Sequence, residues 1–482
     1  MIVKFYYLDG DPAQKIHNQL LEALPKAESK TITIAGGSYR QFILPDKDNS
    51  SITIEVNEPR ALSLISSKSD LFKILNLNKI LTSSDLNTNS LLSEYKVTVL
   101  DLDVTRLSKR TPGGNPNSQV GWIKQNINEE DKELKKVFQT AKRTIQCLGL
   151  DFGIVHIGLT RQRRPTVINV DASPNLSEKS IKNLVNYLIK CQTFFEPKST
   201  LTIGADPEFM MINRDTGKMI VASMFFPRFG SVGCDSIRIT NREQRPIAEL
   251  RPLQDESPLR LSENIQRIML QAVKLVPYRN IEWLAGSQPF KGYYVGGHIH
   301  FSNIKLSGRL LRALDNYLGI PLVLLENPNT GAKRREKYGT LSDYRIKEYG
   351  GFEYRTLGSW LVSRDITRAA LCLAWLIAMN YHQLSVNYLL DVEVQSAFYQ
   401  GVKEPLSHLF PYIWQSIKGM KGFESIAENL QPIYNLCSSG ETWPEEKDIR
   451  PDWDIPIPKK KYRVEQKTNR GPAPTRVSVR VR

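Results

Sequence analysis

The chain has 482 residues, 41% of them hydrophobic and 24% charged, which is the composition of a globular protein with room for two to four domains. Its longest apolar run, Ala369 to Met379, is too short to span a bilayer, and the opening MIVKFYYLDGD lacks the pattern of a secretory signal. Net charge is +15, but Lys459 to Arg482 alone contributes +8, so the basic signal is mostly a tail and nucleic acid is not expected as a partner except through it.

In chain order, MIVKFYYL, KTITIAG and SSITIEV read as strands, with a helical pattern at Ile16, Leu20, Leu21 and Leu24 between the first two. ALSLISSKSDLFKILNL reads as one helix, and Tyr95 to Leu102 alternates like a strand. Glu129 to Leu148 is an amphipathic helix whose apolar face comprises Leu134, Val137, Phe138, Ala141, Ile145 and Leu148. FGIVHIGL and TVINVDAS follow as strands joined by the basic turn TRQRRP. FFEPKST, around 194–200, reads as a linker. Beyond it, helices are expected over Pro258 to Val276, Ser307 to Leu318 and Ser363 to Leu390. From about Pro444 the chain is rich in proline and charge and reads as disordered or loosely packed. The five cysteines are scattered without a CxxC pair, as expected of reduced thiols in a cytoplasmic protein.

Four strand-like segments between Leu201 and Trp360 share one pattern, two functional side chains separated by one residue. They are Asp206/Glu208 in TIGADPEFMM, Glu249/Arg251 in IAELRP, His298/His300 in GGHIHFS and Glu353/Arg355 in GGFEYRTLG. Residues i and i+2 of a strand point to the same face. If the four strands share a sheet, one face gathers four carboxylates, two imidazoles and two guanidiniums. Unpartnered buried charge is costly, and divalent metal with phosphate would stabilise such a face. The carboxylates are hard oxygen ligands suited to Mg²⁺ or Mn²⁺, and the guanidinium fork suits phosphate oxygens. The glycines before His298 would let backbone approach a ligand closely. Arg345 in SDYRIKEYG is a further phosphate candidate. Arg334 and Arg335 read as a solvated charge run, or as phosphate contacts on a mobile loop. Asp235 in VGCDS reads equally as a structural turn or a substrate contact.

Two resemblances sharpen this reading. LGLDFGIVHIGL and VINVDASPNL resemble the C-terminal part of an ATP-grasp domain. His156 stands where that family usually has an Asp, Asn169 at its metal-binding Glu and Asp171 at its metal-binding Asn. Only 15 positions separate Ile80 from Tyr95, where the family has its central phosphate-holding subdomain. Residues 1–195 are therefore expected to form a shortened α/β ATP-grasp-like domain that scaffolds or docks a partner protein, or that retains nucleotide binding, with Asn169 and Asp171 able to hold metal. GADPEF, GCDS, AELRP, GGHIHF and YGGFEYRTLGS, in that order, resemble the phage-type COOH–NH2 ligases (type 2 amidoligases) of the glutamine synthetase and glutamate–cysteine ligase superfold.

That resemblance, which covers roughly residues 200–380, implies an α+β fold with an antiparallel-sheet catalytic domain, placed over residues 200–445; composition makes 446–482 a basic Pro-rich tail. The resemblance implies Asp206, Glu208, Glu249, His298 and Glu353 as ligands of Mg²⁺ or Mn²⁺. Arg355, Arg345, Arg251 and His300 would contact ATP, the three arginines in catalytic roles. The implied reaction joins a carboxylate and an amine, from small molecules or peptides, through an acyl phosphate. A metal-dependent amidase or peptidase, a guanidino kinase of the same superfold, and a non-catalytic peptide- or nucleic-acid-binding protein are the alternatives.

Overall fold

The structure is a computed structural model that describes residues 1–46, 52–85, 91–110, 121–172, 178–193, 200–240 and 242–463. The described residues form an α+β fold with three sheets. The first has strands β1 (Ile2–Leu8), β2 (Glu28–Ile34), β3 (Gly37–Leu44) and β4 (Thr53–Val56) in the order β2-β3-β1-β4. The second has β5 (Leu91–Leu100), β6 (Asp103–Arg110), β7 (Trp122–Gln125), β8 (Phe152–Thr160) and β9 (Pro165–Asp171) in the antiparallel order β7-β6-β5-β8-β9. Helix Lys132–Cys147 covers this sheet with the expected face, burying Val137, Phe138, Ala141 and Ile145. Asp131 caps its start, accepting from the backbone of Glu133 and Leu134. The stretch read as one helix from Ala61 to Leu77 is two, Pro59–Ser66 and Lys68–Leu77. Ser67 interrupts it in an extended conformation, and its hydroxyl caps the second helix by accepting from Asp70 N. The expected linker at 194–199 lies outside the described residues.

The third sheet is built on β10 (Thr202–Asn213). Its other strands are β11 (Lys218–Ile220), β12 (Val232–Cys234), β13 (Ile247–Leu250), β14 (Ile281–Leu284), β15 (Gly297–Ser302), β16 (Tyr344–Ile346) and β17 (Phe352–Tyr354). The order is β12-β13-β10-β15-β17-β16, with β11 and β14 pairing the far half of β10. Alternation along β10 divides its side chains cleanly. Ile203, Ala205, Phe209 and Met211 enter the main core with Ile299, Phe301, Phe352 and Tyr354 from neighbouring strands. Helices Pro258–Leu275 and Arg364–Asn380 bury their apolar faces in that same core. Gly204, Asp206 and Glu208 are left on the opposite face.

The region expected to be helical from Ser307 divides into Gly308–Leu314, a π-helical turn over Asp315–Gly319 and Ile320–Leu325. The one expected from Ser363 stops at Asn380 and passes through two short 3₁₀ turns. The expectation of disorder from residue 446 is corrected as far as residue 463. Ile449, Trp453 and Ile455 are buried, and the Trp453 indole donates to Leu361 O at 2.9 Å. The Arg450 guanidinium is fully buried, paired with Asp448 and donating to the carbonyls of Tyr278 and Arg279. Three apolar or aromatic anchors inside a Pro- and charge-rich segment, with the buried Arg450 pair, are enough to dock it. The rest of the tail, 464–482, lies outside the described residues.

The N-terminal sheets contact the third sheet's domain through polar groups. Asp151 pairs with Arg312, Gly308 N donates to Asp101 at 2.6 Å, and Asn78 accepts from Tyr399 Oη at 2.6 Å.

Candidate active site

Antiparallel register brings the paired residues of the sequence onto one face. Asp206 lies opposite His298, Gly204 opposite His300, and Glu208 opposite Glu249. Glu353 faces His300 on one side and Arg345 on the other. His298 Nδ1 is 3.1 Å from Asp206 Oδ1 and 3.3 Å from Glu353 Oε1, and His300 Nε2 is 3.0 Å from Asp206 Oδ2. Asp206, His300 and Glu353 each present a ligand atom, all within 4.8 Å of one another, the spacing a metal ion would need. Asp206, Glu249, Arg251, His300 and Arg345 line a cavity of about 590 Å³.

Arg355 Nε is 3.1 Å from Glu353 Oε1, and Arg345 Nη1 is 3.5 Å from Glu353 Oε2. The sequence reading passed over Lys347. Its ammonium is 2.5 Å from Glu353 Oε2 and 4.0 Å from Asp206 Oδ2. The signal was present, since Arg345 and Lys347 repeat the same one-residue spacing at the start of a hairpin. Tyr349 was missed too, and its hydroxyl lies 3.5 Å from His300 Nδ1.

Glu208 and Glu249 form a second pair beside this cluster. Glu208 Oε2 accepts from Gly296 N at 2.6 Å, and Glu249 is paired with Arg251. The Arg251 guanidinium also donates to the carbonyls of Arg228, Gly230 and Cys234 at 3.2–3.4 Å. It holds the loop before β12 and orients Glu249 while forming part of the cavity wall. Asp235 also lines the cavity, and its carboxylate accepts from Ile237 N at 2.9 Å.

The two glycines before His298 serve packing. A Cβ on Gly296 would lie 2.4 Å from His298 Nε2, and one on Gly297 would lie 2.5 Å from Gly358 O and the Trp360 indole. Arg334 and Arg335 form neither a solvated run nor a mobile loop, being 1% and 2% exposed at the end of helix Pro328–Arg335. Arg334 donates to Val295 O at 3.0 Å, Thr356 O at 2.8 Å and Arg355 O at 3.4 Å. It ties the approach to β15 to the exit of β17. Arg335 pairs with Glu326.

The four carboxylates divide by environment. Burial alone would push Asp206 up, but the imidazoles of His298 and His300 beside it hold it well below the usual range. Burial and the charge of Asp206 work against Glu353, yet His298 and Lys347 keep it low. Burial pushes Glu208 well up, helped by Asp235 and Glu249, and takes Glu249 up to about 8 with help from Asp206 and against Arg251. Glu353 Oε1 and Oε2, His300 Nε2 and Arg355 Nε are buried without an aligned hydrogen bond. Carboxylate oxygens held only by ion pairs to His298, Lys347 and Arg355 are hard ligands that suit Mg²⁺ or Mn²⁺, so the carboxylates present fit the ion the sequence implied.

The other implied metal pair, Asn169 and Asp171 on β9, is exposed. His156, cross-strand from Asn169, contacts Glu94 Oε2 at 2.7 Å instead.

Carboxylates, imidazoles and cationic side chains are thus interleaved on one open face of the third sheet. Residues 203–455 match the family described as phage phiEco32-like COOH.NH2 ligase-type 2, and the chain belongs to that family. No curated protein matches it in sequence. Among solved structures, it is similar to the ATP-grasp ligase PsnB complexed with a minimal precursor, at 14% identity and TM-score 0.22, over 28% of this chain and 64% of that one. A bifunctional glutathione synthetase from Pasteurella multocida matches at 11% identity and TM-score 0.33, over 50% of this chain and 48% of that one. The macrocyclase MdnB from Microcystis aeruginosa MRC matches at 9% identity and TM-score 0.23, over 40% of this chain and 98% of its own. The chain thus spans just under two thirds of the PsnB chain it matches. No helix among the described residues is long and apolar enough to cross a membrane.

Proposed function

We propose that the chain is an ATP- and metal-dependent carboxylate–amine ligase. The observation that carries this reading is the convergence of Asp206, His300 and Glu353 with Lys347, Arg345 and Arg355 on one sheet face, inside the segment that matches the ligase family. A substrate carboxylate oxygen attacks the γ-phosphorus of ATP and ADP leaves. The amine nitrogen then attacks the acyl phosphate carbon, phosphate departs with the bonding pair, and the nitrogen gives up a proton to the departing phosphate, leaving an amide.

Asp206, His300 and Glu353 would hold Mg²⁺ or Mn²⁺, with Glu208 and Glu249 beside them. His298 braces Asp206 and Glu353 from behind. A bound divalent ion there would offset negative charge on phosphate oxygens. Arg355, just after β17, and Arg345, on β16, face the same region and supply guanidinium groups for the transferring phosphoryl, an electrostatic contribution made chiefly in the transition state. Arg251 acts through Glu249. Residues 1–195 are, in this reading, a shortened ATP-grasp-like domain that scaffolds the catalytic one or docks a partner.

The test is ADP release with Mg²⁺, using hydroxylamine to trap activated carboxylates as hydroxamates, screened over amino acids and peptides. Hydroxamate formation that requires ATP supports the proposal. Amide chemistry that runs equally without nucleotide, as in an amidase, would sink it.

A further inference from the structure

The mouth of the cavity carries three of the most exposed large apolar side chains among the described residues. Phe229 is 72% exposed, Leu253 81% and Tyr349 58%. They come from three separate segments, the loop before β12, the loop after β13 and the turn between β16 and β17, and all three line the cavity. Exposed apolar groups scattered singly need no explanation, but several gathered around one opening mark a binding surface.

Cationic groups interleave with them. Arg228 stacks its guanidinium 4.9 Å from the Phe229 ring centroid, and Arg345 and Lys347 line the wall beneath Tyr349. Size decides what this rim is for. A cavity of about 590 Å³ encloses one molecule of nucleotide size. With ATP inside, a second substrate has to seat at the mouth, where the apolar side chains are. A free amino acid is too small to reach all three segments, whereas an extended peptide can span them.

Resting on the ligase reading above, we propose that the carboxylate substrate is a polypeptide segment. Large apolar residues flanking its carboxylate seat on Phe229, Leu253 and Tyr349, while the carboxylate passes Arg228 into the cavity. An adenine ring is a poorer occupant, because pockets bury most of a small ligand's surface and these side chains stand largely in solvent.

The experiment uses the full chain with Mg²⁺ and ATP. Its probes are a positional-scanning hexapeptide library with free carboxyl groups, the free amino acids, and a fluorescein-labelled Leu/Phe-rich acidic hexapeptide for anisotropy. Phe229→Ser and Leu253→Ser are surface changes that leave the core intact. The proposal expects peptides with apolar residues beside the carboxylate to be preferred. Each substitution should raise the peptide KM and the anisotropy Kd about tenfold, as expected for losing one large apolar contact, while the KM for ATP stays put. Free amino acids turned over as well as peptides, with both variants unaffected, would overturn the rim assignment and leave the ligase reading standing. A rise in the ATP KM instead would give the rim to the base and overturn the peptide. If no substrate consumes ATP, the ligase reading fails, and anisotropy still decides the rim. No binding of the labelled peptide by the unaltered protein would overturn it.

Discussion

Lys347 makes the most direct prediction. Its ammonium is 2.5 Å from Glu353 Oε2 and 4.0 Å from Asp206 Oδ2, on the two carboxylates that share the candidate metal position with His300. In the absence of a divalent ion it is their counter-ion, so an incoming metal has to displace it. Lys347 is 21% exposed and Glu353 1%, which places the contact between a surface ion pair and a buried one. An ion pair between those two extremes contributes about 1.5–3 kcal/mol. Lys347→Gln removes the competitor, so Mn²⁺ should bind roughly ten- to a hundredfold more tightly. The same change leaves Glu353 without its ammonium in the metal-free protein, which should melt at a lower temperature and gain more from added Mn²⁺. Calorimetric titration with Mn²⁺, without nucleotide and near pH 8, measures the affinity, and thermal melts with and without the ion measure the second effect. Unchanged or weaker Mn²⁺ binding by the variant would refute the reasoning, because Lys347 would then be a bystander.

Arg355→Ala should lower the rate of nucleotide-dependent product formation by about 10²–10³ while the melting temperature hardly moves, the signature of charge stabilisation made in the transition state; steady-state ADP release beside a melt checks both. Asp151 is 2% exposed and paired with Arg312 across the two parts of the chain, so removing either partner should cost about 3–5 kcal/mol in urea unfolding, and the double variant should cost much less than the sum. Glu58 is pushed up to about 7, chiefly by burial and despite Arg312 and Arg60. The folded protein then holds a proton that the unfolded chain has lost, so stability should fall as pH rises from about 4.5 to about 7 and level off above. Glu58→Gln should flatten that slope in melts across the range, and an unchanged slope would assign it to other groups.

The candidate site was legible because strands obey a period of two. Asp206, His298, His300 and Glu353 could be placed on one face from spacing alone, and antiparallel pairing did the rest. The same rule, carried one residue pair further, would have found Lys347. What spacing does not encode is partnership. Arg251 sits in an acidic strand and Arg334 in a charge run, yet both donate to three backbone carbonyls, and Arg251 alone of the two is also paired with a glutamate. The glycines before His298 read as room for a ligand because nothing in GGHIHF reveals that Trp360, some sixty residues on, fills that space. Composition misled at the C-terminus, where Ile449, Trp453 and Ile455 outweigh the surrounding proline and charge. Ser67 was a local signal, a cap in the middle of an apolar pattern, and reading the capping residue before the periodicity would have divided that helix.

The docked segment near the C-terminus sets an order in time. β10 is the hub of the third sheet and leaves the ribosome early, ending at Asn213, while Trp453 follows 240 residues later. At about 5–20 residues per second, the nascent sheet waits roughly ten seconds to most of a minute for the indole that donates to Leu361 O. Leu361 adjoins Trp360, whose own indole donates to Gly297 O at the start of the histidine strand. Until the last anchors arrive, the core that buries the apolar side of β10 lacks Trp453 and Ile455, and premature stops upstream would release chains with that core incomplete. Such chains are substrates for chaperones and proteases, so the protein's yield in a cell is sensitive to translation finishing even where every residue of the candidate site has already been made.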